Sequence, residues 1–149
     1  MIGEDDTLCY SHVFTRTQGT NVTTLLICLF IAALLPYLSK LAVVYAIKKE
    51  GHYDNHHPRQ QQAGLTGLGA RAVAAHQNSF EALLIFSSAV LAALATDHTS
   101  TTNQYLAIAF IVARLVYHAI YLLNWSTLRS TIWFLGWLCS IVILWNCIP

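Results

Sequence analysis

Charged side chains are scarce in this chain. Asp, Glu, Lys and Arg together make up 10% of its 149 residues, whereas 56% are hydrophobic. An ordinary soluble domain carries about 25% charged residues, so this scarcity argues against a water-soluble fold. The net charge of +1 also gives no reason to expect a nucleic-acid partner or an acidic substrate.

The chain also lacks the alternating ten-residue segments that are typical of membrane β-barrel strands. Its apolar residues instead form four long runs, each of about 20 residues or more, which is the length that a helix needs to cross a bilayer core. A backbone in lipid must satisfy its own hydrogen bonds, so we expect helices. We predict an all-α membrane protein, a four-helix bundle in one domain (1–149). The predicted helices are about 22–47, 69–95, 103–123 and 131–148.

A cleaved signal peptide has a basic segment before its apolar run, and no such segment precedes the first apolar run here. We therefore expect this run to stay in the mature chain. Residues 1–21 are polar and are predicted to be a tail. Basic residues gather instead in the first loop, 48–68, and near the third, at Arg129, whereas the opposite side offers only Arg16. The positive-inside rule therefore predicts that these two loops are cytoplasmic and that both termini are not.

Patterns typical of metal sites are absent or weak. The four cysteines show no C-x-x-C spacing and are interpreted as small apolar fillers. The first loop holds His52, His56 and His57, but only Asp54 lies near them. This favours a solvated loop and no metal.

Polar residues inside the apolar runs need a partner helix or a wet cavity. At about 100° per residue, Arg71, Asn78 and Glu81 share one stripe of the second helix, whereas His76 points elsewhere. In the first helix, Lys40 either snorkels to the headgroups or contacts an anionic ligand.

A second stripe lies on the third helix. Arg114, Tyr117 and Tyr121 occur at i, i+3 and i+7, and Arg129 and Ser130 follow at the start of the fourth helix. Glu81 is the only obvious internal counter-ion, so a bound anion would complete the site. The alternative is a network of Arg71, Glu81 and Arg114 that fixes helix register and binds nothing.

The spacing of these residues resembles that of the MAPEG family, the membrane-associated proteins in eicosanoid and glutathione metabolism. The motifs are Arg71-x-x-x-x-His76-x-Asn78-x-x-Glu81, then Arg114-x-x-Tyr117-x-x-x-Tyr121, then Arg129. The sequences of the first loop and of the second helix most resemble those of the bacterial branch of the family. The resemblance implies a homotrimer of left-handed four-helix bundles, with glutathione as co-substrate near the cytoplasmic side. It also implies a bacterial inner membrane, or the endoplasmic reticulum if the chain is eukaryotic.

The resemblance further implies a glutathione transferase or glutathione-dependent peroxidase that acts on lipophilic molecules. Arg129 would stabilise the thiolate, with Ser130 beside it. The implied substrate-binding residues are Arg71, His76, Asn78, Glu81, Arg114, Tyr117 and Tyr121.

The chain departs from the family at Ala74 and Gln77, where basic residues are frequent. The alternative is therefore a non-catalytic protein of the same fold that binds a lipid or another small anion. A channel or transporter is less favoured, because no discontinuous helix pair is visible.

Overall fold

The computed structural model describes the backbone of residues 4–149 and the side chains of residues 19–149. Within these residues the chain is all-α, and four of its helices are long and apolar enough to cross a membrane. The predicted four-helix membrane bundle is thus confirmed. The elements are α1 (Glu4–Glu50), α2 (Pro58–Gly64), α3 (Gly67–Ala95), α4 (Thr101–Leu123) and α5 (Ser126–Trp145).

The four long helices enclose a core of interlocking aromatic and small side chains. α1 packs on α3 and α4, and α5 packs on α4 and α3. At the centre, the rings of Phe86 and Phe110 stack with centroids 3.9 Å apart and planes 2° from parallel. Small neighbours such as Ala32, Ala89 and Ala107 allow the helix backbones to approach these rings.

The outward faces of the bundle are strongly apolar. Large hydrophobic side chains such as Leu84, Tyr105 and Trp145 are exposed on them. An exposed apolar surface of this extent is unusual for a soluble monomer. Its natural surroundings are hydrocarbon or another copy of the chain.

Buried amides close the bundle at the α3–α4 turn, which we call the asparagine end (Asn21, Thr99, Asn103 and Asn146). Asn103 is completely buried; its amide donates to His98 O at 2.8 Å and accepts from Asn146 Nδ2 at 2.8 Å. Asn21 Nδ2 donates to Thr99 O, also at 2.8 Å. These bonds tie α1, α4 and the C-terminus of α5 to one turn.

The connections differ from their predicted bounds in two places. The loop 48–68 contains α2, a short helix with Pro58 in its first turn, where a missing N–H does no harm. α5 begins at Ser126, five residues before the predicted start, because Asn124 adopts the left-handed conformation (φ 64°) and ends α4 sharply. Arg129 and Ser130 therefore lie within the helix.

The predicted N-terminal tail also needs correction where it can be compared. The backbone of residues 4–21 belongs to α1, and Asn21 is held by its bond to Thr99 O. The side chains of residues 1–18, including those of Cys9 and Arg16, lie outside the described part of the chain.

Candidate functional site

A hydrogen-bonded row of side chains links α3 to α4 in the half of the bundle far from the asparagine end. Arg114 is buried, with 3% of its surface exposed, and its Nη2 donates to Asn78 Oδ1 at 2.9 Å. Asn78 Nδ2 in turn donates to Glu81 Oε2 at 2.9 Å. Asn78 therefore bridges the guanidinium of Arg114 and the exposed carboxylate of Glu81 by two hydrogen bonds.

Aromatic rings continue this row to α5. The Arg114 guanidinium carbon lies 4.2 Å from the centroid of the Tyr117 ring, and Tyr117 meets Tyr121 edge to face at 5.3 Å. The Arg129 guanidinium carbon lies 4.5 Å from the centroid of the Tyr121 ring. Two cations are thus held on aromatic faces, which attract positive charge without neutralising it. We call these six residues the polar ladder: Glu81, Asn78, Arg114, Tyr117, Tyr121 and Arg129.

A cavity of about 430 Å³ opens beside the α5 end of the ladder, and we call it the outer cavity. Its volume falls in the range of roughly 300 to 1,000 Å³ that is usual for small-molecule sites. Its lining combines hydroxyl, amide and guanidinium groups with aromatic rings. The lining residues are Asn78, Tyr117, Tyr121, Arg129, Ser130, Trp133 and Phe134.

A smaller inner cavity, of about 140 Å³, lies between α3, α4 and α5. Trp133 lines both cavities, and Trp137 and Ser140 line the inner one together with Glu81 and Arg114. Sequence reasoning missed Trp133, Trp137 and Ser140. Their spacing of i, i+4 and i+7 on one helix face was the available signal.

Two of the predicted site residues lie apart from the ladder. His76 Nδ1 contacts Pro36 O at 2.9 Å and Ser39 Oγ at 3.3 Å, so it joins α3 to α1. Arg71 has a buried Nε atom with no hydrogen-bond partner among the described residues. It lies about two helical turns, or about 10 Å, from Asn78 along the axis of α3. Among the described residues, Arg71 makes no hydrogen bond to the network of Asn78, Glu81 and Arg114.

The histidine-bearing loop is organised by hydrogen bonds to a carboxylate. Asp54 Oδ1 accepts from the backbone N–H groups of His56 and His57 at 2.8 and 3.2 Å. In the part of the chain that the structure describes, no three His, Cys, Asp or Glu side chains are grouped to hold a metal ion.

A bundle of four apolar helices that holds a buried arginine beside a cavity defines a class: integral, multi-pass membrane proteins. Comparison with protein families agrees with this and is more specific. The sequence matches the model of the MAPEG family over residues 24–148, which is most of the chain, and the protein belongs to that family. No curated protein and no solved structure matches the chain significantly.

Proposed function

We propose that this protein is a membrane glutathione transferase or glutathione-dependent peroxidase that acts on lipophilic electrophiles. The observation that carries the proposal is the outer cavity, where Arg129, Ser130 and two tyrosines line one space in a chain of the MAPEG family. Such a cavity offers a guanidinium for a polar thiol and aromatic rings for an apolar partner.

Arg129 is assigned the central chemical role. A free thiol has a pKa of about 8.5 and is mostly protonated at neutral pH, whereas the thiolate is the nucleophile. A guanidinium close to the sulfur stabilises the thiolate, and the thiol proton leaves to solvent. The thiolate then attacks the electrophile and expels its leaving group. Ser130 Oγ, whose bond to Ser126 O is long at 3.2 Å, is free to turn and donate to the same sulfur.

The rest of the ladder is assigned to binding and orientation. Glu81 is exposed at one end of the ladder and would receive the α-amino group of glutathione. Asn78 and Arg114 would contact its polar backbone, and Tyr117 and Tyr121 would line the pocket. Arg71 and His76 remain proposed binding residues.

The proposal includes a homotrimer, in which a neighbouring subunit would supply part of each site. The exposed apolar faces of the bundle suit both lipid and a second copy. The proposed orientation keeps both termini outside the cytoplasm, with the first and third loops inside it, in a bacterial inner membrane. Native mass spectrometry in detergent would measure the number of subunits.

The test is a conjugation assay of glutathione with a generic aryl halide on detergent-purified protein. We expect Arg129→Ala to lower kcat/KM about 100-fold, the usual cost of removing one donor that stabilises a developing anion. Arg59→Ala, which removes an exposed arginine from α2, is the matched control and should keep full activity.

An alternative outcome is equally informative. If the wild-type protein shows no glutathione-dependent rate and glutathione does not raise its thermal midpoint, the proposed enzyme is wrong. A non-catalytic protein that binds a lipid or another small anion would then be the better description, and an anionic ligand should copurify with it.

A further inference from the structure

A third cavity, of about 230 Å³, lies between α1, α3 and α4 and shares no lining residue with the two cavities beside the ladder. Most of its wall is aliphatic. Only Ser39 and His118 bring polar atoms to it. The aliphatic part includes Leu35, Leu38, Ala42, Ala72, Leu115 and Leu122.

The mouth of this cavity faces the outside of the bundle between α1 and α4. Leu38 on α1 is 56% exposed and Leu115 on α4 is 52% exposed, and both line the cavity. In a membrane protein, exposed leucines in a spanning helix meet hydrocarbon or a second copy of the chain, and not water. A molecule that enters here therefore arrives from the lipid.

The contacts around His118 favour one of the two tautomers of its ring. Ser79 Oγ lies 2.8 Å from Ala75 O and 3.1 Å from His118 Nε2, and with its single proton on the shorter contact it accepts from Nε2. Nε2 is therefore the protonated nitrogen of a neutral imidazole. Nδ1 is left as a bare acceptor, and no described residue donates to it.

Ser39 reinforces this preference for a donor. Its hydroxyl donates to Pro36 O at 2.8 Å, which leaves its oxygen as an acceptor too. The polar part of the cavity thus offers acceptors and no free donor. An unpaired acceptor in an apolar cavity costs free energy, and a ligand that donates one hydrogen bond would recover it.

We propose that this cavity binds a lipid-soluble alcohol or phenol, whose hydroxyl donates to His118 Nδ1 while its hydrocarbon packs on the leucines. The volume of the cavity limits the size of the ligand. A cavity of roughly 150 Å³ holds one benzene ring, so 230 Å³ accommodates a ring with a short chain. A carboxylate is disfavoured, because it would face lone pairs and no donor.

The experiment uses the whole protein in lipid nanodiscs, with empty nanodiscs subtracted, and titrates 4-propylphenol by calorimetry. Its methyl ether, 4-propylanisole, has nearly the same shape and no donor. We expect the phenol to bind saturably and the ether to bind about tenfold more weakly, the difference expected for one hydrogen bond. In protein labelled with ¹⁵N-histidine, the His118 Nδ1 signal should move on addition of the phenol only.

Two variants make the result specific to this cavity. Ala42→Leu fills the space without removing the acceptor and should abolish saturable binding of the phenol. His118→Phe removes the acceptor and should weaken binding of the phenol about tenfold, to the level of the ether. Ala109→Leu, on the far face of α4, is the matched control and should leave binding unchanged. Equal binding of phenol and ether, unchanged binding to Ala42→Leu, or tighter binding of 4-propylbenzoate would each overturn the proposal. No glutathione is present, so the outcome is independent of the proposed enzyme.

Discussion

The two halves of the bundle use buried polar groups in opposite ways. At the asparagine end, the amide of Asn103 has protein partners on both its nitrogen and its oxygen. On the ladder, Arg114 is almost as deeply buried, but of its five N–H donors only one is hydrogen-bonded within the described part of the chain. The asparagine end uses its amides to hold helices together, although the buried Thr99 hydroxyl there has no partner among the described residues. On the ladder, most of the guanidinium donors of Arg114 have no protein partner within the described part of the chain.

The largest expected effect on stability lies at the asparagine end. Asn103→Ala removes both side-chain hydrogen bonds of a completely buried amide and leaves the half-buried Asn146 Nδ2 without this partner; an unpaired buried group costs about 1 to 3 kcal/mol. We expect a loss of about 2 kcal/mol in the free energy of unfolding. The measurement is the thermal midpoint in detergent. Asn55→Ala, in an exposed part of the first loop, is the control and should leave the midpoint unchanged.

The matching change on the ladder should behave differently. Arg114→Met replaces a buried, partly paired charge with an apolar side chain of similar length, which is often neutral or stabilising. We expect the thermal midpoint to stay or rise, while glutathione affinity falls about tenfold, or about 1.4 kcal/mol. A drop in midpoint as large as that of Asn103→Ala, with affinity intact, would mean that Arg114 is structural and that the comparison fails.

The smallest effect concerns the ring beneath Arg129. Tyr121→Leu removes the aromatic face that holds this guanidinium. We expect it to raise the free energy of the transition state by about 1 kcal/mol and so to lower kcat/KM. Tyr121→Phe keeps the face and should cost much less. If the two variants are equally impaired, the Tyr121 hydroxyl and not its ring is what matters.

The sequence predicted the helices well because hydropathy and length are sufficient to identify membrane spans. It predicted the ladder in part. Spacing alone placed Tyr117 and Tyr121 on one face of α4, and in the structure their rings meet edge to face. Spacing also placed Arg71 on one stripe of α3 with Asn78, two turns away, and no hydrogen bond joins the two among the described residues.

Other parts of the site were not predictable from one helix at a time. Trp133 lines both the inner and the outer cavity. Only the packing of α5 against α3 and α4 creates that position. The role of Asn78 as the bridge between Arg114 and Glu81 likewise depends on the distance between α3 and α4. The start of α5 was misplaced because a left-handed Asn124 cannot be read from hydropathy.

The stacked rings of Phe86 and Phe110 have a consequence for the membrane itself. Phe110 also lines the inner cavity, so that cavity ends on a pair of rings that are almost completely buried. A charged site open to one side of a bilayer risks becoming a leak for protons or ions. Two aromatic rings in van der Waals contact leave no room for a file of water molecules between them, so they separate the ladder from the asparagine end.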